Sequence, residues 1–187
     1  MKFRKALKVT SRISSVTNGF VQAIIPCVEP SELERADALA VLGMVPGEET
    51  CVYCGAHATD WDHLRPLVCG KRPTGYCNDV RNLVPACGPC NQSKSGQDWE
   101  QWISGTSTGS PKSRGVAILG GRIEVLRQFE DWSSHGALDM RSLAGEAVWD
   151  AYWGRLEAIE LQMHEAQREA VIIRELIADA LQAESST

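Results

Sequence analysis

The stretch from Thr59 to Leu67, TDWDHLRPL, sets two carboxylates, Asp60 and Asp62, beside an imidazole, His63, a few residues after a Cys-x-x-Cys pair. Such a grouping is either an ordinary polar loop or half of a metal site. Two pairs, Cys51-x-x-Cys54 and Cys87-x-x-Cys90, supply four thiols. Their two-residue spacing lets both sulfurs of a tight turn reach one tetrahedral ion, and four thiolates are the ligand set of a closed structural zinc site. A redox role for either pair is the alternative, but two pairs with Gly55 and Gly88 at the turns favour zinc. Cys27, Cys69 and Cys77 have no comparable spacing. They read as buried thiols, with Cys69 and Cys77 as fallback ligands.

Between and around the pairs lie WDHLRP, VRNLVPAC and CNQSK. Each is weak alone. Together they resemble an HNH nuclease, the zinc-knuckle branch of the ββα-metal fold, over Cys51 to about Trp102, and the overall pattern is similar to small HNH restriction endonucleases. The resemblance implies a role for each matching position. His63 is the general base on water, Asp62 a ligand to a catalytic divalent ion, and Asn82 the residue that orients the histidine. Asn91 stands where many members carry a final histidine, as the second ligand. An asparagine there favours Mg²⁺ or Mn²⁺ in the catalytic position, with Zn²⁺ kept to Cys51, Cys54, Cys87 and Cys90.

The residue types suit that chemistry. Hydrolysing a phosphodiester needs a deprotonated water in line with the leaving oxygen, and an imidazole with an ordinary pKa of about 6.5 accepts that proton near neutrality. Adjacent strand residues face opposite ways, so a bulge or strand end is expected at Asp62–His63, and Pro66 fits an early end. Asp60 lies on the side of Asp62 and reads as a solvated acid or a supporting group. Asn91 and Lys94, three apart, share a helix face, which would set Lys94 over a phosphate. Arg65, Lys71, Arg72 and Arg81 are further candidate DNA contacts on charge alone. Trp61, Trp99 and Trp102 are expected to fill a small core.

These groups need a scaffold. PSELERADALAVLGM predicts a helix opened by a Ser31–Glu34 capping box, with Leu33, Ala36, Leu39 and Ala40 on its apolar face. FVQAII ahead of Pro26 suggests a short strand or extended arm, and a later helix is expected over about Arg122 to Trp132. In the tail, Trp149, Leu156, Met163, Ala170 and Ile177 recur every seventh residue. Tyr152, Ile159, Ala166, Ile173 and Ala180 follow three behind. That is a coiled-coil seam, and it predicts a homodimer through the C-terminal helix.

The expected fold is α+β and mostly helical, a ββα-metal HNH core stapled by a four-cysteine zinc site with helical N- and C-terminal extensions. Its parts are a basic arm and helix (1–50), the nuclease core (51–104), a connecting helical region (105–145) and a long amphipathic helix (146–187). The net charge is -5, but from Glu146 onward nine acids face Arg155, Arg168 and Arg174. Ahead of that point 16 bases balance 15 acids, and from Leu64 to Gly96 five bases face Asp79 alone. An acidic total therefore leaves room for a DNA-binding face. Lys2, Arg4, Lys5, Lys8 and Arg12 make the N-terminus basic. No apolar run reaches membrane-spanning length, so a cytoplasmic protein without a membrane partner is expected. The functional expectation is a divalent-metal-dependent endonuclease acting on double-stranded DNA, foremost a sequence-specific type II restriction enzyme. A phage or mobile-element HNH enzyme that nicks with low specificity is the alternative, and a non-catalytic zinc DNA-binding module a third.

Overall fold

The computed structural model describes residues 5–133 and 136–185, so Lys2 and Arg4 of the basic arm lie outside the described residues. The fold is α+β and mostly helical. Its helices are α1 (Ile13–Ala23), α2 (Glu32–Val41), α3 (Gly88–Lys94), α4 (Trp99–Ile103), α5 (Leu119–Trp132), α6 (Met140–Ala144) and α7 (Glu146–Ser185). Its strands are β1 (Asp60–His63), β2 (Val68–Cys69), β3 (Arg72–Pro73) and β4 (Leu83–Ala86). The chain forms two compact units, Val21–Asp139 and the pairing of Met1–Phe20 with Met140–Thr187. Among the described residues no helix is long and apolar enough to cross a membrane.

In the first of these units β1 runs antiparallel to β4, with Asp62 opposite Val84 and His63 opposite Leu83. The strand ends at His63 without a bulge, and the chain bends at Leu64 and Arg65, just ahead of Pro66. Two four-residue strands bury too little to stand alone. The apolar surface comes from Tyr53, Leu64, Val84, Trp99, Trp102, Ile103, Leu126 and Phe129, all buried in one cluster. The Trp102 ring meets Tyr53 edge-on at 5.1 Å, and its indole N–H donates to Ser93 Oγ at 3.0 Å. Trp99 and Trp102 are therefore core, as expected. Trp61 is not: it is 39% exposed on the outer side of β1.

The capping box forms as read: Ser31 accepts from the Glu34 N–H, and the Glu34 carboxylate accepts from the Ser31 N–H. The face that α2 buries is shifted, however. Ala38, Leu39 and the following Leu42 are buried while Leu33 is exposed, because α2 packs against α5 through its C-terminal half.

Near the N-terminus the expected strand is instead helical: Phe20–Ala23 complete α1. The alternation in FVQAII is outweighed by partners on α7. Thr17 Oγ1 donates to Glu160 at 2.7 Å, and the Phe20 ring lies 5.1 Å from that of Tyr152, whose hydroxyl donates to the Phe20 carbonyl. The 3-10 turn Val9–Arg12 also lies along α7, with the Val9 N–H donating to Gln167 at 2.7 Å. Trp153 and Leu156 are consequently buried within this unit. The first half of the seam thus serves the chain's own N-terminal segment.

Candidate metal centre and adjoining active site

Backbone bonds shape the first knuckle. The Gly55 N–H donates to the Cys51 carbonyl at 2.7 Å and the Val52 N–H to the Pro85 carbonyl at 2.9 Å, which fastens the turn to β4. Gly55 has φ +79°, a left-handed conformation that glycine adopts without cost, and a Cβ there would collide with the Arg122 guanidinium. In the second knuckle Cys87 is the N-cap of α3, with Pro89 in the first turn, so the helix begins on a cysteine of the pair. The four Sγ atoms of Cys51, Cys54, Cys87 and Cys90 lie within 4.8 Å of one another.

That set can hold one metal ion. Zinc bound at about 2.3 Å by four sulfurs would space them about 3.8 Å apart, and Cys54 and Cys87 already stand 3.7 Å apart. Charge argues the same way. A hydrogen bond from Cys90 holds the Cys51 thiol down at about 4, and that same bond pushes the Cys90 thiol up. An ion bound by all four would let them ionise together, because its charge offsets theirs. Arg114 adds a guanidinium, its Nη2 2.8 Å from Cys90 Sγ. Cys27 and Cys69 are exposed and Cys77 half-buried, so the expectation of three buried thiols fails, and none of them joins the cluster.

The four-cysteine cluster draws on the same elements, β4 and α3, that flank β1. Asp62 is 4% exposed on β1. Its Oδ2 accepts from the Tyr53 hydroxyl at 2.6 Å and pairs with Lys94 Nζ at 3.1 Å. Lys94 also donates to the His63 carbonyl at 2.7 Å, so the end of α3 is tied to both residues of the Asp–His pair. Lys94 is fully buried. It does not sit on the surface over a phosphate, because its four-carbon stem turns inward to neutralise Asp62. Asn91, half-buried, precedes Lys94 by three residues and shares its helix face.

His63 is half-buried and held by a residue that the sequence did not single out. Its Nε2 lies 3.1 Å from Asn78 Oδ1. An amide oxygen only accepts, so Nε2 carries the proton and Nδ1 presents a lone pair. Burial pushes the His63 pKa below its ordinary value, and the Asn78 bond offsets this in part. Asn78 is fixed in turn: its Nδ2 donates to Cys27 Sγ at 3.1 Å, and its backbone bridges to Pro26 and Val28.

Asn82 does something other than orient the imidazole. Its side chain accepts from the Arg65 N–H at 2.8 Å and donates to the Arg65 carbonyl at 3.0 Å, while its carbonyl accepts from the Leu64 N–H. It therefore locks the two residues after His63. Asp60 is exposed on the rim, accepting from the Thr59 hydroxyl, which itself accepts from the Gly88 N–H.

Of the basic residues expected at DNA, Arg65 is turned to internal use. Its side chain is 14% exposed, its Nε lies 3.3 Å from Glu130 Oε1, and its other nitrogens donate to Ser133 Oγ and the Glu130 carbonyl. It caps the end of α5. Lys71, Arg72 and Arg81 are exposed. Lys71 stands at the tip of the two-residue hairpin between β2 and β3, where Gly70 and Lys71 both have positive φ, +55° and +65°. A lysine in that conformation costs about 1 kcal/mol, so the tip is held at a price.

No family model, curated protein or solved structure matches this chain. Tyr53, Asn78 and Arg114 are the site residues that sequence reasoning missed. Tyr53 sits inside the first Cys-x-x-Cys and Asn78 beside Cys77, positions that carry no spacing signal.

Two outcomes are expected. Chelation at neutral pH should remove one equivalent of zinc and abolish the cooperative unfolding transition of this unit; a chelator-treated protein with an unchanged melting temperature contradicts the metal centre. Replacing Lys94 with Met leaves the Asp62 charge buried and uncompensated, so urea unfolding should show a loss of about 3 kcal/mol. A loss under about 1 kcal/mol would mean that the pair is not what joins α3 to β1.

Proposed function

We propose that this chain is a DNA endonuclease of the HNH type, hydrolysing phosphodiester bonds with Mg²⁺ or Mn²⁺. The observation that carries the reading is the His63 imidazole. It is kept neutral by burial and oriented by Asn78, so that Nδ1 is the free base, next in sequence to a buried carboxylate on an element pinned by four cysteines. A neutral, fixed imidazole is what proton abstraction from water requires.

In this reading Asp62 and Asn91 would hold the divalent ion, which when bound supplies charge stabilisation at the scissile phosphate. The donor chemistry fits: a carboxylate and an amide oxygen suit a hard cation. The Tyr53 and Lys94 contacts both fall on Asp62 Oδ2, and coordination through Oδ1 leaves them intact. Those contacts fix the carboxylate's rotamer, and Asn82 fixes the chain just past His63. Both limit the motion of the reacting groups, which is how positioning lowers a barrier. Lys71, Arg72 and Arg81 are the proposed contacts to the backbone of double-stranded DNA. The ends left are 5′-phosphate and 3′-hydroxyl, as the resemblance implies. A cytoplasmic setting, where thiols stay reduced, suits the metal centre. The role we favour is restriction at a specific sequence. Discrete plasmid fragments support it, whereas nicked circles without a pattern favour the phage or mobile-element reading.

Substituting His63 by Ala should lower plasmid cleavage by at least about a hundredfold, with zinc content and circular dichroism unchanged; equal cleavage by the variant removes the mechanism. The rate should also depend on pH through this one group. Because burial depresses the His63 pKa, the base form is lost only as pH falls below the ordinary histidine value of about 6.5. The acid limb of the cleavage profile is therefore expected below that value, and a limb above it contradicts the assignment.

A further inference from the structure

The second half of α7 carries a feature that neither the metal centre nor the nuclease reading uses. Ile172, Ile173, Leu176, Ile177 and Leu181 are each more than half exposed. At 100° per residue they cover one side of the helix. Upstream, the heptad seam is sheltered by the chain's own N-terminal segment, which leaves Trp153 and Leu156 buried. From Ile172 onward five large aliphatic side chains stand open over less than three helical turns. A patch of that density on one helix face marks a surface that is covered by something.

We propose that this face pairs in parallel and in register with the same face of a second copy of this chain. Charge placement selects that occupant. With Ala170 and Ile177 at a positions and Ile173 and Ala180 at d positions, the flanking g positions are Glu169 and Leu176, and the flanking e positions Arg174 and Leu181. In a parallel pair each g residue faces the e residue five further on in the other helix. Glu169 then meets the partner's Arg174, and Leu176 meets the partner's Leu181. Each contact occurs twice by symmetry. An antiparallel pair sets g against g and e against e. Arg174 would then face an arginine or a leucine, Glu169 a glutamate or a leucine, and no opposite charges would meet. Ala170 and Ala180 keep the seam narrow at its ends, with Ile173 and Ile177 filling its centre. The seam spans about two heptads, so the association is concentration-dependent. It does not rest on the nuclease reading.

The test is sedimentation velocity on the zinc-loaded full chain, with reductant present so that the exposed Cys27 and Cys69 form no disulfides. From low to high micromolar concentration the mass should rise from one chain to two. Ile173→Glu combined with Ile177→Glu should weaken the dimer at least about a hundredfold with helicity retained. Glu169→Arg alone should weaken it about tenfold by opposing like charges, and adding Arg174→Glu should restore it to within about twofold of the parent. Circular dichroism checks that each variant keeps its helix. A parent chain that stays monomeric throughout overturns the proposal, as does a dimer indifferent to the Ile173 and Ile177 changes. A charge-reversed double variant that fails to recover excludes the parallel register.

Discussion

Four sulfur atoms gathered within 4.8 Å, on residues that approach from two separate turns, form the constraint on which the rest of this unit depends. The bond between two of these thiols lowers Cys51 and raises Cys90, and a divalent ion would relieve that opposition by taking all four as thiolates. Binding such an ion contributes folding free energy directly. An ion bound there would close residues 51–90 into one loop, between the N-cap of α3 at Cys87 and the first knuckle, which the Val52–Pro85 bond fastens to β4. A sheet of two four-residue strands needs that help, and Tyr53, Trp99 and Trp102 supply the packed surface beneath it.

A cysteine of this cluster, Cys87, stands where α3 begins, and a buried ion pair stands where it ends. Lys94 reaches from the last residue of α3 to Asp62, with Tyr53 completing the carboxylate's contacts. Desolvating two charges costs several kcal/mol per ion, so such a pair adds little net stability; what it adds is geometry, because each charge tolerates only the other's position. Asp62 is thus fixed by Lys94 and Tyr53, neither of which is assigned a step in the proposed chemistry. Asn78 and Asn82 divide the remaining work, one on the imidazole and one on the backbone that follows it.

Much of this was legible in the sequence where the physics is local. Two-residue cysteine spacing brings two sulfurs to one tight turn whatever the surroundings, and a Ser-x-x-Glu cap is decided within four residues. The strand end at His63 followed from the nearness of Pro66. What was not legible depended on burial. Charge alone assigned Arg65 to a surface, and a helix face shared with Asn91 set Lys94 over a phosphate; the fold instead turns Arg65 to the end of α5 and Lys94 into the core, where each meets an acid that lies distant in sequence. Trp61 was expected inside with its two neighbours, yet its place on β1 turns it outward. The alternation in FVQAII is real but short, and contacts from Thr17 and Phe20 to α7 outweigh it. The motif assigned Asn82 to the imidazole, and only the fold shows that Asn78, four residues earlier, is the one that reaches the ring.

The central proposal is that Asp62 and Asn91 hold one hard cation, with the His63 imidazole beside it, next to the four-cysteine cluster. Paramagnetic broadening by Mn²⁺, followed by NMR on isotope-labelled, zinc-loaded protein, tests it most directly. The account expects substoichiometric Mn²⁺ to erase the His63 imidazole and Asn91 side-chain amide signals first and together, and Asp62→Asn to abolish the effect. Broadening confined to the acidic tail, or no selective broadening in this region, would contradict it.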